Sequence, residues 1–307
     1  MATAPPSADA VLVRRLRERD RTAWEELYES YGPRLRPFAY RLTGNRHDAD
    51  DLVQETFVRA LPRLDRLDPE TTVIGPYLFT TLRNLFLKSV ERGRRVEPTA
   101  DVPEPTTPAP IEDDPERSTL LHRQQEDVRL ANAKLAPRQR LVLALRELED
   151  RSYAEIGVVV GLNENAVAQL ISRARENLRT ELRLGEVDAE RLPEACRRFL
   201  PLLSRHLDGQ LRGPQLESTL EHLDGCERCQ DALLSMREAQ RRYRVLLPPF
   251  FAGDDHRAKI EAELTAAGYW TRPRSGTWLR AHRMLIAAAA GLLIAGAGGV
   301  QDRKSVV

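Results

Sequence analysis

Apolar side chains recur every three or four positions through most of the chain. Leu27, Tyr31, Leu35 and Phe38 form one such stripe. Thr43-Gly44-Asn45 interrupts it, and Leu52, Phe57 and Leu61 resume it. This is the period of an amphipathic helix. Asp48 or a neighbour can cap the second helix, with Asp50 and Asp51 suited to its positive N-terminal end. Leu64 to Pro76 carries Pro69, Gly75 and Pro76 and reads as a loop. Tyr77 to Arg92 is a further helix with Leu78, Leu82, Leu85 and Phe86 on its apolar side. The helical period returns over Leu120 to Leu184 and again over Glu186 to Phe250. No segment alternates apolar and polar residues as a strand does, so the fold class is all-α.

Between these stretches the pattern lapses. Residues 1–19 read as a flexible N-terminus without the apolar core of a secretory leader. Residues 96–118 are rich in Pro and Thr and carry seven acids and one Arg, which makes them an extended linker. Residues 251–283 read as a second connector. Met284 to Val300 then runs for 17 residues without a charge. As a helix it would span about 25 Å, at the short limit for a bilayer. Trp278, Arg280, His282 and Arg283 precede it and suit a cytoplasmic interface, and Ala287, Gly291, Ala295 and Gly299 form a small-residue face. A single membrane span is the expectation; a buried Ala-rich helix is the alternative.

The 307 residues have a formal net charge of only +1, which hides local asymmetry. From Tyr77 to Arg95 there are five basic residues and one acid, interleaved with Tyr77, Phe79 and Phe86. Basic groups neutralise phosphates and aromatic faces stack on unpaired bases, although a core helix with a basic end fits equally. Ser152 to Val160, a turn at Gly161-Leu-Asn, and Glu164 to Arg179 have the outline of a helix-turn-helix, an outline that non-DNA helical hairpins share.

The cysteines are Cys196, Cys226 and Cys229. An odd count argues against a disulfide framework and for a reducing compartment. His222-x3-Cys226-x2-Cys229, with Cys196 from an upstream helix, supplies the four N/S ligands of a closed structural zinc site. His206 is a substitute ligand, and inert buried thiols are the plain alternative. A closed site leaves no position for substrate. Without a nucleophile–base pair or phosphate loop elsewhere, the chain does not read as an enzyme.

Three groups of residues carry a resemblance. Asp48-Ala-Asp-Asp-Leu-Val-Gln-Glu-Thr-Phe-Val-Arg-Ala60 and Pro76-Tyr-Leu-Phe-Thr-Thr-Leu-Arg-Asn-Leu85 resemble region two of bacterial sigma factors, most closely the extracytoplasmic-function (ECF) type. The resemblance implies that Asp48, Asp51, Gln54 and Glu55 meet the β′ clamp helices of RNA polymerase. It also implies that Tyr77, Arg83, Asn84, Lys88 and Arg92 act at the −10 element. Tyr77 stands where the family often has Trp, and Lys88 where it often has Asp. Leu135-Ala-Pro-Arg-Gln-Arg140 and Tyr153-Ala-Glu-Ile-Gly157 resemble sigma region four. This makes Asn163, Asn165, Gln169, Ser172, Arg173 and Arg175 candidates for the −35 element, with a further contact to the β flap. Ala168 and Leu170 stand where basic residues are common. Cys196, His206-Leu-Asp-Gly-Gln-Leu211 and His222-x3-Cys226-x2-Cys229 resemble the zinc-binding anti-sigma domain.

The expected organisation is a region-two bundle over 20–95, a region-four helix-turn-helix domain over 119–184 and a small zinc-binding helical domain over 186–250. The apolar helix 284–300 follows, holding the chain to the inner face of the cell membrane. The expected function is promoter-directed transcription initiation, inhibited by an intramolecular sigma–anti-sigma contact, with activation by the fused domain as the alternative sign. The alternative is a zinc/thiol redox regulator that binds DNA without polymerase. Oxidation of the thiolates would be one route to release.

Overall fold

The computed structural model describes residues 7–93, 115–185, 192–247 and 254–270. Among them every regular element is helical. The first group comprises α1 (Ala8–Arg17), α2 (Arg21–Thr43), α3 (Arg46–Leu64) and α4 (Ile74–Gly93). Asp20 caps α2 by accepting from the Thr22 amide, Gly44 ends it at φ 77°, and Asn45 caps α3 through the Asp48 amide. The apolar stripes read from the sequence meet inside this bundle: Leu27, Leu35, Phe38, Leu52, Phe57, Leu61, Leu78, Leu82, Leu85 and Phe86 are buried. Trp24 meets Phe57 edge-on at 5.2 Å, and Phe38 meets Phe79 in the same way at 5.0 Å.

The second group comprises α5 (Pro115–Lys134), α6 (Pro137–Glu147), α7 (Tyr153–Val160) and α8 (Glu164–Glu181). A reciprocal Ser152–Glu155 capping box starts α7, and Gly161 closes it at φ 71°. This group does not stand apart from the first. Leu141, Val142, Leu145, Ile156, Val159 and Ile171 belong to the same apolar core as the bundle. Arg140 donates to the Leu42 carbonyl across the seam, and Arg34 pairs with Glu149.

The third group comprises α9 (Glu194–Arg197), α10 (Leu200–Leu207), α11 (Gly213–Asp224) and α12 (Glu227–Val245). Its own core is small: Leu192, Cys196, Leu203, Leu223, Cys229, Ala232 and Met236. The far end of α12 leaves that core. Ala239, Tyr243 and Leu246 pack with Val128, Leu135, Leu143 and Leu178 of the second group. Arg41 of α2 is buried and donates to the Tyr243 and Leu246 carbonyls, a cation at the negative end of α12.

Two expectations are corrected here. The reading of residues 1–19 as flexible fails from Ala8 onward: Ser7 caps α1 through the Ala10 amide, and Ala10, Leu12, Val13 and Leu16 are buried. The reading of 251–283 as a connector fails over α13 (Asp254–Ala266). Ile260 and Leu264 are buried, and Tyr269 just beyond the helix donates to the Leu16 carbonyl at 3.1 Å. Among the described residues no helix is long and apolar enough to cross a membrane. The expected span 284–300 lies outside the described residues.

Candidate metal centre and nucleic-acid interface

The cysteine cluster is built from three helices. Cys196 sits in α9, His222 in the last turn of α11, Cys226 at the N-cap of α12 and Cys229 in its first turn. Gly225 ends α11 as expected, but at φ −102° rather than in a left-handed conformation. Ligand atoms of the four residues lie within 4.8 Å of one another. The Cys196 and Cys226 sulfurs are 3.7 Å apart, and His222 Nε2 is 3.2 Å from the Cys229 sulfur. Tetrahedral zinc with thiolates at about 2.3 Å sets its sulfurs roughly 3.8 Å apart, so the donor set fits such an ion. Phe199 stacks on the His222 ring at 3.9 Å with an interplanar angle of 2°, which fixes the imidazole.

The thiols differ among themselves. The backbone N–H of Cys229 holds Cys226 below the ordinary thiol range. Burial pushes Cys196 up and Cys229 up to about 12. A cation at the centre is what would let all three act as thiolates. His206, the substitute ligand of the sequence reading, is not part of the cluster.

The helix-turn-helix is α7, the turn at Gly161 and α8. Gly157 has a packing reason: a Cβ there would lie 2.5 Å from the Leu162 carbonyl oxygen. Asn165, Gln169 and Arg173 are exposed at four-residue spacing and form one outward row. Asn163 is exposed too, but its side chain caps α8 by accepting from the Ala166 amide. Ser172 and Arg175, grouped with them by sequence, point the other way and are buried. Arg175 donates to Glu147 at 2.6 Å and to Asp208 at 2.7 Å, with all three side chains 1% exposed or less. Burial works against its charge, and the two carboxylates outweigh this and raise its pKa.

On α3, Asp48 and Asp51 are exposed and Gln54 and Glu55 half-buried. Asp48, Asp51 and Glu55 border an open groove of about 420 Å³ with Leu52, Phe86 and Arg140. Glu55 pairs with Arg59 one turn on. Gln54 is engaged from outside the bundle: it donates to Glu263 of α13 at 2.6 Å. Of the basic-helix candidates, Asn84, Lys88 and Arg92 are exposed. Tyr77 is half-buried and donates to the Ala60 carbonyl, while Arg83 spans to the Val159 carbonyl of α7.

Sequence reasoning missed α13 and its His256. Asp254 and Asp255 at the start, Gly268 at the end and a single Ile260/Leu264 pair were the available signals. His256 is buried between α2 and α3, with Nδ1 2.9 Å from the Tyr28 hydroxyl and Nε2 3.0 Å from the Asp50 carbonyl. Since a carbonyl only accepts, Nε2 carries the proton and Nδ1 accepts from Tyr28.

A helix-turn-helix beside an aromatic and basic helix, with a Cys3His cluster behind it, defines a helical transcription regulator. Family models for Sigma-70 region 2 match residues 27–96 and for Sigma-70 region 4 residues 125–178, and a zinc-finger model matches 196–230. The chain belongs to the ECF RNA polymerase sigma factors and carries a fused zinc-finger domain of anti-sigma type. It is 37% identical over 161 residues to the ECF RNA polymerase sigma factor SigE of Mycolicibacterium smegmatis, covering 52% of this chain and 62% of that one. It is 36% identical to EcfG of Rhodopseudomonas palustris, covering 48% of this chain and 77% of the relative. Among solved structures, that of CnrH in complex with the cytosolic domain of CnrY aligns with TM-score 0.41 and 24% identity, covering 58% of this chain and 98% of that one. Sigma factors regulate transcription; they are not enzymes.

Proposed function

We propose that the chain directs RNA polymerase to promoters and that its own C-terminal elements hold it inactive. In this reading the acidic face of α3, with Asp48, Asp51, Gln54 and Glu55, meets the β′ clamp helices. Tyr77, Arg83, Asn84, Lys88 and Arg92 serve the −10 element. Asn165, Gln169 and Arg173 serve the −35 element from the outer row of α8, next to a β-flap contact. Ser172 and Arg175 support that row from inside.

The observation that carries the inhibitory sign is the placement of the C-terminal elements. α13 lies along α3 and engages Gln54, while α10 and α12 pack on α8. Polymerase would have to displace α13 to reach Gln54, whereas the outer row of α8 stays open and α10 and α12 hold α8 by its inner face. Tethering keeps such contacts at high effective concentration, so release needs a real change in affinity. Cys196, His222, Cys226 and Cys229 would hold one zinc ion that fastens α9, α11 and α12 together. The apolar run 284–300 enters this reading from its sequence alone, as a tether to the inner membrane face.

Run-off transcription with core polymerase is the test, comparing the full chain with one ending at Leu184. Higher activity in the shortened chain is the expected result. Equal or lower activity rejects inhibition. Failure of the shortened chain to capture core polymerase rejects the sigma reading and leaves a zinc/thiol DNA-binding regulator.

A further inference from the structure

The His206-Leu-Asp-Gly motif stands apart from the metal cluster, yet its aspartate carboxylate is enclosed. Asp208 closes the end of α10 with its side chain 1% exposed. Every group that compensates it comes from the helix-turn-helix domain. Arg175 of α8 grips it with two hydrogen bonds, Nη2 to Oδ1 at 2.7 Å and Nη1 to Oδ2 at 2.9 Å. Arg146 of α6 stands 3.0 Å from Oδ1, and the Tyr153 hydroxyl of α7 donates to Oδ2 at 2.6 Å. The remaining donors of Arg175 go to Ser204 of α10 and to Glu147. Glu147 in turn accepts from Gln240 and Arg244 of α12.

On the side of α6, α7 and α8 the guanidinium groups of Arg146 and Arg175 have a single buried carboxylate, Glu147, which Arg244 of α12 also draws on. Asp208 is the carboxylate that meets both guanidinium groups. The two-pronged guanidinium–carboxylate geometry is directional and admits few substitutes. Buried ion pairs of this kind contribute modestly to net stability but strongly to specificity, because removing one partner strands the other.

We infer that Asp208 is the specificity-determining residue that docks the zinc domain on region four, with Arg146, Tyr153 and Arg175 as its socket. The inference rests on residues 192–247 acting as an intramolecular regulator. It assigns docking to a carboxylate set apart from the metal ligands, so the domain can be folded and metal-loaded yet undocked.

The full chain carries the test, in two variants. Asp208→Asn removes the charge and keeps the shape. Tyr153→Phe removes one hydrogen bond from the other side, where it cannot disturb the metal site. Amide hydrogen exchange across 147–153 and 200–212 reads docking directly, and zinc stoichiometry reads the fold of the domain. Exchange should rise at least about tenfold in D208N and about fivefold in Y153F, with zinc still bound. Unchanged exchange in both variants overturns the inference. If D208N fails to hold zinc, Y153F decides alone: a rise upholds the docking role and no rise overturns it. Transcription is measured in parallel. Faster exchange without more transcript upholds the docking role of Asp208 and counts against inhibition by the domain.

Discussion

Cys229 has no exposed surface, and burial pushes its thiol up to about 12. A buried group of this kind makes a poor free nucleophile and a good metal ligand, because the cation reverses the cost of ionising it. Cys229→Ser should therefore lower bound zinc from near stoichiometric by at least about a hundredfold in affinity, measured by metal analysis and chelator competition. Phe199→Leu keeps apolar volume and loses the stack on His222, so it should weaken metal binding by about 1 kcal/mol in the same competition.

His256 belongs to the same scale. Burial lowers its pKa from the usual 6.5, and nearby Arg36 and Lys259 add to this against the Asp50 carbonyl and carboxylate. The docked form then binds fewer protons than the released form. Docking of α13 is fully supported above about pH 6.5 and weakens as pH falls from there toward the lowered value, by up to about tenfold per pH unit. Hydrogen exchange across 254–266 should accelerate below pH 6.5. His256→Phe should flatten that pH dependence; an unaltered profile would show that another group titrates.

Among the elements, the helix-turn-helix and α13 carry different loads. The turn after α7 folds back so closely that Gly157 leaves no room for a methyl group against the Leu162 carbonyl. Gly157→Ala must shift the turn, at a cost of about 1–3 kcal/mol in chemical denaturation. α13 has a thin apolar face, with Ile260 and Leu264 both fully buried. Leu264→Ala removes one of those anchors, worth about 2–3 kcal/mol for a core leucine. That is enough to free much of α13, so affinity of the full chain for a β′ clamp-helix fragment should rise several-fold. No rise would mean that α13 does not compete for α3.

At the scale of the whole molecule, the restraint divides into two contacts with different chemistry. α10 and α12 reach α8 from a domain whose core includes the cysteine cluster. α13 reaches α3 through apolar packing, Gln54–Glu263 and His256, none of which involves that cluster. Chelating the metal should loosen 192–247 against α8 while leaving 254–266 protected, as followed by hydrogen exchange. Loss of protection in both segments at once would make them a single unit.

What the sequence determined by itself is what depends on neighbours along the chain. Helical periodicity located the stripes later found buried in α2, α3 and α4, because those side chains follow from 3.6 residues per turn. The Cys3His set was legible because three of its ligands lie within eight residues. The tertiary structure decided what depends on distant partners. Arg175 reads like its neighbour Arg173, yet faces inward because Glu147 and Asp208, far away in sequence, satisfy its charge. α13 carries too few apolar residues to be recognised alone, and its helix is held by a face on the bundle that no local pattern reveals. The direction a charged side chain takes, and whether a weak amphipathic segment folds, are set by the surface that meets it.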